Sequence, residues 1–391
     1  MPELWLKIIS TLIALGVLIF VHELGHFLAC RISRVGVRKF SIGFGPELLS
    51  WQGKETRYSI SLIPFGGFVK PQGETYEEIK KRGGGVPGDY ISAPIGNRFL
   101  ILIGGVAMNF LFAYFLFVLL FMLGRPVEST TIGEFVEGYP ASQSDLRVGD
   151  QVKHLNGKAV SNWQELKFQI LESTDEVITF TVERDGELLN IPVMVQFEEG
   201  TDIFGQVRRV PRIGIKPSQE MMIEKYGLSA ALVKAGQLEL KLSALTCEAL
   251  GRLVTGRLSL KAVSGPIGIV SMAGDAVQMG LATFLQFLGL LSVSLAVINI
   301  LPIPALDGGH LFFLFIEAIF RKPVSLSLQE RMTQIGFFFL MGLMLLVVYN
   351  DLINVGAMEK FQNFSGKVIT RFYDQLEQGL TKRIDPTHRS R

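Results

Sequence analysis

Five residues, His22-Glu23-Leu24-Gly25-His26, constrain this chain more than any others. They lie near the end of an apolar run from about Ile8 to Cys30. Two histidines four residues apart share one face of a helix, one turn from each other. Both imidazoles can then reach one metal ion, and a glutamate between them can take a proton from water activated there. Histidine and glutamate inside an apolar run of this length are costly in a bilayer, and in that setting they mark function. The same residues on a soluble amphipathic helix would simply be solvated, but this run has no polar face. A polar contact between two spans accounts for one histidine, not for three ionisable groups on adjacent turns.

The rest of the composition fits a membrane setting. The chain has 391 residues, of which 48% are hydrophobic, and its mean hydropathy is +0.35. Its net charge of +2 gives no footprint for nucleic acid. The two cysteines, Cys30 and Cys247, are far apart, and a structural disulfide is not expected. Only Lys7 precedes the first apolar run and no small-residue cleavage site follows it, so the run reads as a retained span.

Four stretches are long and apolar enough to cross a bilayer: about Leu6 to Cys30, Phe99 to Leu123, Phe284 to Leu301 and Ile335 to Tyr349. The apolar piece Leu311 to Phe320 is too short to cross alone. Eleven Lys and Arg fall between Arg31 and Arg98, and Arg321-Lys322 follows the third span. The positive-inside rule puts both segments in the cytoplasm and the long segment from Gly124 to about Ala282 outside it. His22 lies about 22 Å along the helix from Lys7 at 1.5 Å per residue, which places it within the hydrocarbon, nearer the cytoplasmic face.

Between the first two spans, Thr56–Ile63 alternates polar and apolar residues, Pro64-Phe65-Gly66-Gly67 interrupts it and Phe68–Lys70 resumes. With Phe40 to Phe44 this predicts a small β-sheet against the metal site. Either strand run is placed to hold an extended peptide. Gly104-Gly105 in the second span suits close helix contact, and Asn109 one turn on is either a hydrogen-bond partner of the first helix or a link between helices. From about Val127 to Lys216 the composition is that of a soluble domain. Strands are expected at Thr131–Val136, Gln151–Leu155, Val177–Arg184, Leu188–Val195 and Arg212–Lys216, with hairpin turns at Asn156-Gly157 and Asp185-Gly186. Gly138-Tyr139-Pro140-Ala141-Ser142 and Leu146-Arg147-Val148-Gly149-Asp150 resemble the start of a circularly permuted bacterial PDZ domain, a fold that adds an extended peptide to a sheet edge. From Tyr226 to Val254, leucine and alanine at helical spacing predict one or two amphipathic helices on the outer membrane surface. Ser264-Gly265-Pro266-Ile267-Gly268-Ile269 breaks the helix before the third span.

The third span ends in Asn299-Ile300-Leu301-Pro302-Ile303-Pro304-Ala305-Leu306-Asp307-Gly308-Gly309-His310. Two prolines must interrupt the helix, and irregular backbone at membrane depth survives only inside protein or beside a wet cavity. Asp307 at such a break is a natural third ligand, which leaves one coordination position open as catalytic zinc sites do. His310 is the other candidate, better suited to a place behind the ligands.

The HExxH of the first span, the Asn-x-x-Pro-x-Pro-x-Leu-Asp-Gly run, the SGPIGI segment and the inserted domain together resemble the site-2 protease family of intramembrane zinc metalloproteases, nearest to its bacterial regulator-of-sigma-E group. The likeness covers nearly all of residues 4 to 352. It implies Zn2+, one per chain, held by His22, His26 and Asp307, with Glu23 as catalytic base. It implies a role for Gly66, Gly67 and Phe68 in a β-region that pairs with unwound substrate, and a role in substrate handling for Asn299 and Pro302. The implied partners are membrane proteins with a transmembrane helix, an anti-sigma factor or remnant signal peptides, together with the lipid bilayer and a peptide ligand of the PDZ domain. The implied location is the bacterial cytoplasmic membrane. A membrane metal carrier would need polar positions along a path across the bilayer, whereas here they converge at one depth. A scaffold without catalysis would have no use for Glu23.

The expected fold is therefore a polytopic α-helical membrane protein of about four transmembrane helices, with a small membrane-associated β-region and one inserted α+β PDZ domain. Residues 1–126 carry two spans and the β-region, and 127–217 the PDZ domain. Residues 218–282 carry surface helices, 283–353 the last two spans, and 354–391 an amphipathic tail expected to lie on anionic lipid.

Overall fold

The computed structural model describes residues 2–74, 78, 85–201, 207–259 and 263–354. The expected tail from 354 onward therefore lies outside the described residues, apart from its first residue. Among the described residues, four helices are long and apolar enough to cross a membrane: α1 (Pro2–Ile32), α2 (Ile95–Leu123), α6 (Leu281–Asn299) and α8 (Leu326–Asn354). Each is close to the expected span, with α1, α2 and α8 longer because their flanking polar residues continue the helix. The backbones of α1 and α2 touch where glycines face each other. A Cβ on Gly25 would sit 2.2 Å from the Gly104 carbonyl oxygen, and one on Gly104 would sit 2.7 Å from that of Gly25. Without a hydrophobic force between helices in lipid, such small-residue contact supplies the packing.

Helix α2 is also the centre of the bundle. Its Ala113, Phe117 and Leu120 are fully buried against Val293 and Val297 of α6 and against Ala231 and Ala235 of α4 (Leu228–Val254). The Tyr226–Val254 region is thus one continuous helix packed on the bundle by one face. Alanines one turn apart flatten that face, which is why it can approach. The SGPIGI segment does break the chain, but it also starts α5 (Pro266–Gln278), with proline in the first turn where its missing N–H costs nothing. The buried Asp351 of α8 accepts hydrogen bonds from the Gly265 and Gly268 amides, both at 3.0 Å, and so caps that helix.

The β-region differs from the expected pair of short runs. Strands β1 (Val37–Gln52) and β2 (Arg57–Pro71) are long and strongly bent. Ile42 pairs with both Gly67 and Ile60, and Lys39 with both Lys70 and Arg57. The first half of β1 therefore lies between the two halves of β2, and the second half of β1 pairs outside Arg57–Ser61. The Tyr58–Ile63 run is interior up to Ser61, and its Ser59 and Ser61 hydroxyls bond to the buried Ser41 hydroxyl at 3.0 and 3.2 Å. That run cannot take up a new strand. The open edge nearest α1 is Gly67–Pro71. Glycine makes the bend: Gly66 has φ +110°, and a Cβ there would strike the Phe44 ring. Phe40 fixes the sheet to α1 by packing edge-on against Phe20 and Phe27, at 6.1 and 5.6 Å between ring centres. Hydrogen bonds from Lys39 and Arg57 hold the Glu47 carboxyl down to about 2.

The inserted domain hangs on two paired strands, β3 (Arg125–Glu128) and β12 (Met221–Glu224). Its main sheet has the order β6 (Lys158–Ala159), β5 (Gln151–Leu155), β7 (Val177–Arg184), β8 (Glu187–Met194). Helix α3 (Trp163–Glu172) covers it, with Asn162 accepting from the Glu165 amide as N-cap. Strand β4 (Ile132–Phe135) pairs with β11 (Ile215–Pro217). Fully buried Ile178, Phe180, Val182 and Leu166 make the core, and each such side chain contributes roughly 1.5–3 kcal/mol. Asn156 and Asp185 have positive φ ahead of Gly157 and Gly186, as the two hairpin dipeptides predict. One hairpin was not foreseen, β9 (Gln196–Thr201) with β10 (Val207–Arg212). It takes part of the expected Arg212–Lys216 strand, which is split by Gly214.

Candidate active site

His22, Glu23 and His26 occupy adjacent turns of α1 where α2 comes closest. Room for the two rings comes from Gly105 of α2. A Cβ there would lie 2.4 Å from His26 Nε2 and 2.6 Å from His22 Cε1. The rings stand at 84°, with centres 4.8 Å apart. Asp307 begins α7 (Asp307–Phe320) directly after the proline break. The break folds back onto the start of its own helix: a Cβ on Gly308 would lie 2.1 Å from the Leu301 carbonyl oxygen, and one on Gly309 2.5 Å from that of Ile303. Only glycine fits at positions 308 and 309, and Ala305 within the turn holds φ at +110°.

Three atoms converge. His22 Nε2 and His26 Nε2 are 3.2 Å apart, and Asp307 Oδ2 is 3.0 Å from the first and 3.4 Å from the second. Ligands on a tetrahedron of bond length about 2.05 Å stand about 3.3 Å from one another. Asp307 Oδ2 is buried and has no aligned hydrogen-bond donor, an orphaned acceptor that a cation would satisfy. His26 Nδ1–H donates to the Ile101 carbonyl at 2.8 Å, which leaves the Nε2 lone pair for a metal. Two imidazoles and one carboxylate form the donor set of a catalytic zinc site, and the residues present fit that ion.

Glu23 is outside this triad, on the side of the sheet. The Val69 backbone N–H faces its carboxyl, and a Cβ on Gly67 would lie 3.0 Å from Glu23 Cγ. The open edge of the sheet therefore runs beside the glutamate. Triad, Glu23, Gly67 and Phe68 line one cavity of about 850 Å3. Gly66 makes the bend before it, and Phe68 stacks on Phe44 at 6.3 Å. His310 also lines the cavity, one turn beyond Asp307. Asn299 ends α6 and Pro302 lies in the break, and neither lines the cavity.

Two features of the site escaped sequence reasoning. Gly105 reads as a packing residue until the helix opposite is known. Arg98 and Glu317, both mostly buried, pair across α2 and α7 and form part of the cavity wall. The signal for that pair was a carboxylate within the apolar piece Leu311 to Phe320.

A His-His-Asp cluster on a helix long and apolar enough to cross a membrane, with a carboxylate and a strand edge on the same cavity, has the donor set of a metallopeptidase. The chain belongs to peptidase family M50, the site-2 protease family, whose profile matches residues 10–343; it is a zinc metalloprotease. A Rickettsia conorii protein that carries a provisional zinc-metalloprotease name is 33% identical, over 90% of this chain and 99% of its own. The regulator of sigma-W protease RasP of Bacillus subtilis is 28% identical, over 88% of this chain and 98% of its own. A solved PDZ domain of the SdrC-like protein from Listeria innocua aligns with 24% of this chain and 97% of itself, at 17% identity and TM-score 0.19.

Proposed function

We propose that this zinc metalloprotease cuts transmembrane segments of other membrane proteins within the bilayer, as a step of regulated intramembrane proteolysis, and that it uses one zinc ion per chain. The observation that carries this reading is the convergence of His22, His26, Asp307 and Glu23 on a cavity that an open strand edge also lines. His22, His26 and Asp307 would hold the ion. When bound, zinc lowers the pKa of water towards about 7 and polarises a carbonyl.

The chain's own residues do the rest. A helix in lipid hides its amides in internal hydrogen bonds, so an unwound stretch needs substitute partners. The Gly67–Pro71 edge offers them without reading side chains, and Gly67 keeps the strand close to Glu23. Glu23 takes the proton from the attacking water and returns it to the leaving amine. The Val69 amide holds the Glu23 carboxylate in place between those two transfers. Asn299 and Pro302 shape the break behind Asp307.

Substrates are membrane proteins with a transmembrane helix, an anti-sigma factor or remnant signal peptides, a reading supported by the regulatory role in the name of the Bacillus relative. The protein sits in the bacterial cytoplasmic membrane with the site near the cytoplasmic face. The inserted domain lies outside and is a PDZ domain. A cavity of about 400 Å3 between α3 and the strand around Gly214 is where its peptide ligand would lie.

The test is Glu23→Gln, assayed on a reporter with one transmembrane helix interrupted by glycine and proline. Cleavage falls about 10²–10⁴-fold, the contribution of a general base, while zinc content stays at the wild-type level. Near wild-type cleavage would end this reading.

A further inference from the structure

We infer that Asn109 is a positioning residue for His22, a hydrogen-bond acceptor that fixes which ring nitrogen faces the metal. This rests on the zinc reading of the triad. Asn109 is fully buried. Its side-chain nitrogen lies 3.3 Å from His22 Nδ1, and its backbone carbonyl accepts from the Ser292 hydroxyl of α6 at 2.7 Å, which fixes this part of α2 in the bundle.

With the amide nitrogen turned to the ring, Nδ1 accepts and the ring proton sits on Nε2. That nitrogen is then closed to a metal, and Asn109 Oδ1 stays buried with no partner. With the amide turned over, Nδ1–H donates to Oδ1 and the Nε2 lone pair is free. The second state repeats what the Ile101 carbonyl does for His26. The difference is that a backbone carbonyl can only accept, whereas the Asn109 amide accepts only when Oδ1 is the atom turned to the ring. One face of α2 thus carries both requirements of the triad one turn apart: clearance at Gly105 and an acceptor at Asn109.

The experiment measures zinc affinity of the full-length protein in detergent by competition with a chelator. Asn109→Leu keeps the size and removes the acceptor; affinity falls about 10- to 100-fold, the usual cost of losing the group behind a ligand. Asn109→Asp keeps an acceptor, and affinity stays within about threefold of wild type. If Asn109 merely joined helices, the order would invert, because a buried carboxylate between spans costs more than leucine. Melting of the zinc-free proteins checks that the bundle is intact. Should Asn109→Leu not fold, Asn109→Ser replaces it, since its hydroxyl is too short to reach the ring. Wild-type affinity in the leucine or serine variant, or equal losses in the leucine and aspartate variants, would overturn the inference. A wild-type protein that binds no zinc would instead overturn the reading of the triad itself.

Discussion

Gly105 sets the tolerance of the whole site. Its missing side chain is the space that both imidazoles occupy, and the atoms in the way belong to rings already held from behind. Gly105→Ala should therefore reduce zinc bound to the purified protein by at least about tenfold, as measured by elemental analysis. The clash persists without zinc and outweighs the about 1 kcal/mol that alanine gains as a helix former, so melting of the zinc-free protein should fall as well. Full zinc in this variant would mean that α1 and α2 can separate at no cost. At this scale the sequence was most informative where chemistry is local. His22, Glu23 and His26 are fixed by the pitch of one helix, and Asp307 by prolines that forbid another. Gly105 was not legible, because its role depends on which helix lies opposite and at what rotation.

Among the elements, the bent sheet reaches the cavity of the triad through Gly67 and Phe68. Its two strands cross so that only Gly67–Pro71 presents an open edge beside Glu23. Val69→Pro removes an N–H that points at Glu23 and leaves the pairing with β1 intact, as proline at an edge does. Cleavage of the reporter should fall at least about tenfold from lost positioning, with zinc retained and the sheet still resistant to limited proteolysis. Ser59→Pro has the opposite signature. Ser59 pairs with Ser41 on one side and Ser50 on the other, so the sheet opens and proteolysis cuts it. If both variants cleave normally, substrate is held elsewhere. Alternation along Thr56–Ile63 revealed the strands, but not their order, which is set by a bend at Gly66 against Phe44. The β9–β10 hairpin was hidden for another reason. Glu199 faces Arg209 across it, and alternating charge reads as a loop until the pairing is known.

For the molecule as a whole, four long apolar helices and an insertion were legible because bilayer thickness sets a length that composition must meet. The packing of α4 was not, since amphipathic spacing does not say whether the apolar face meets lipid or protein. The Lys and Arg bias predicts a sidedness that a cysteine in the Asn156-Gly157 turn tests, after Cys30 and Cys247 are replaced. A membrane-impermeant thiol reagent should label it in intact cells; labelling only after lysis would invert the orientation and move the site towards the other face. The stalk of the inserted domain has a further consequence. Glu128 and Met221 stand opposite each other in an antiparallel pair, about 5 Å apart. The chain leaves the membrane part and returns to it at nearly one point. To the bundle, the ninety or so residues between them are a single closed loop, and loop closure grows only with the logarithm of length. Such a junction lets lineages exchange, duplicate or discard whatever hangs from it while the catalytic helices keep their registry.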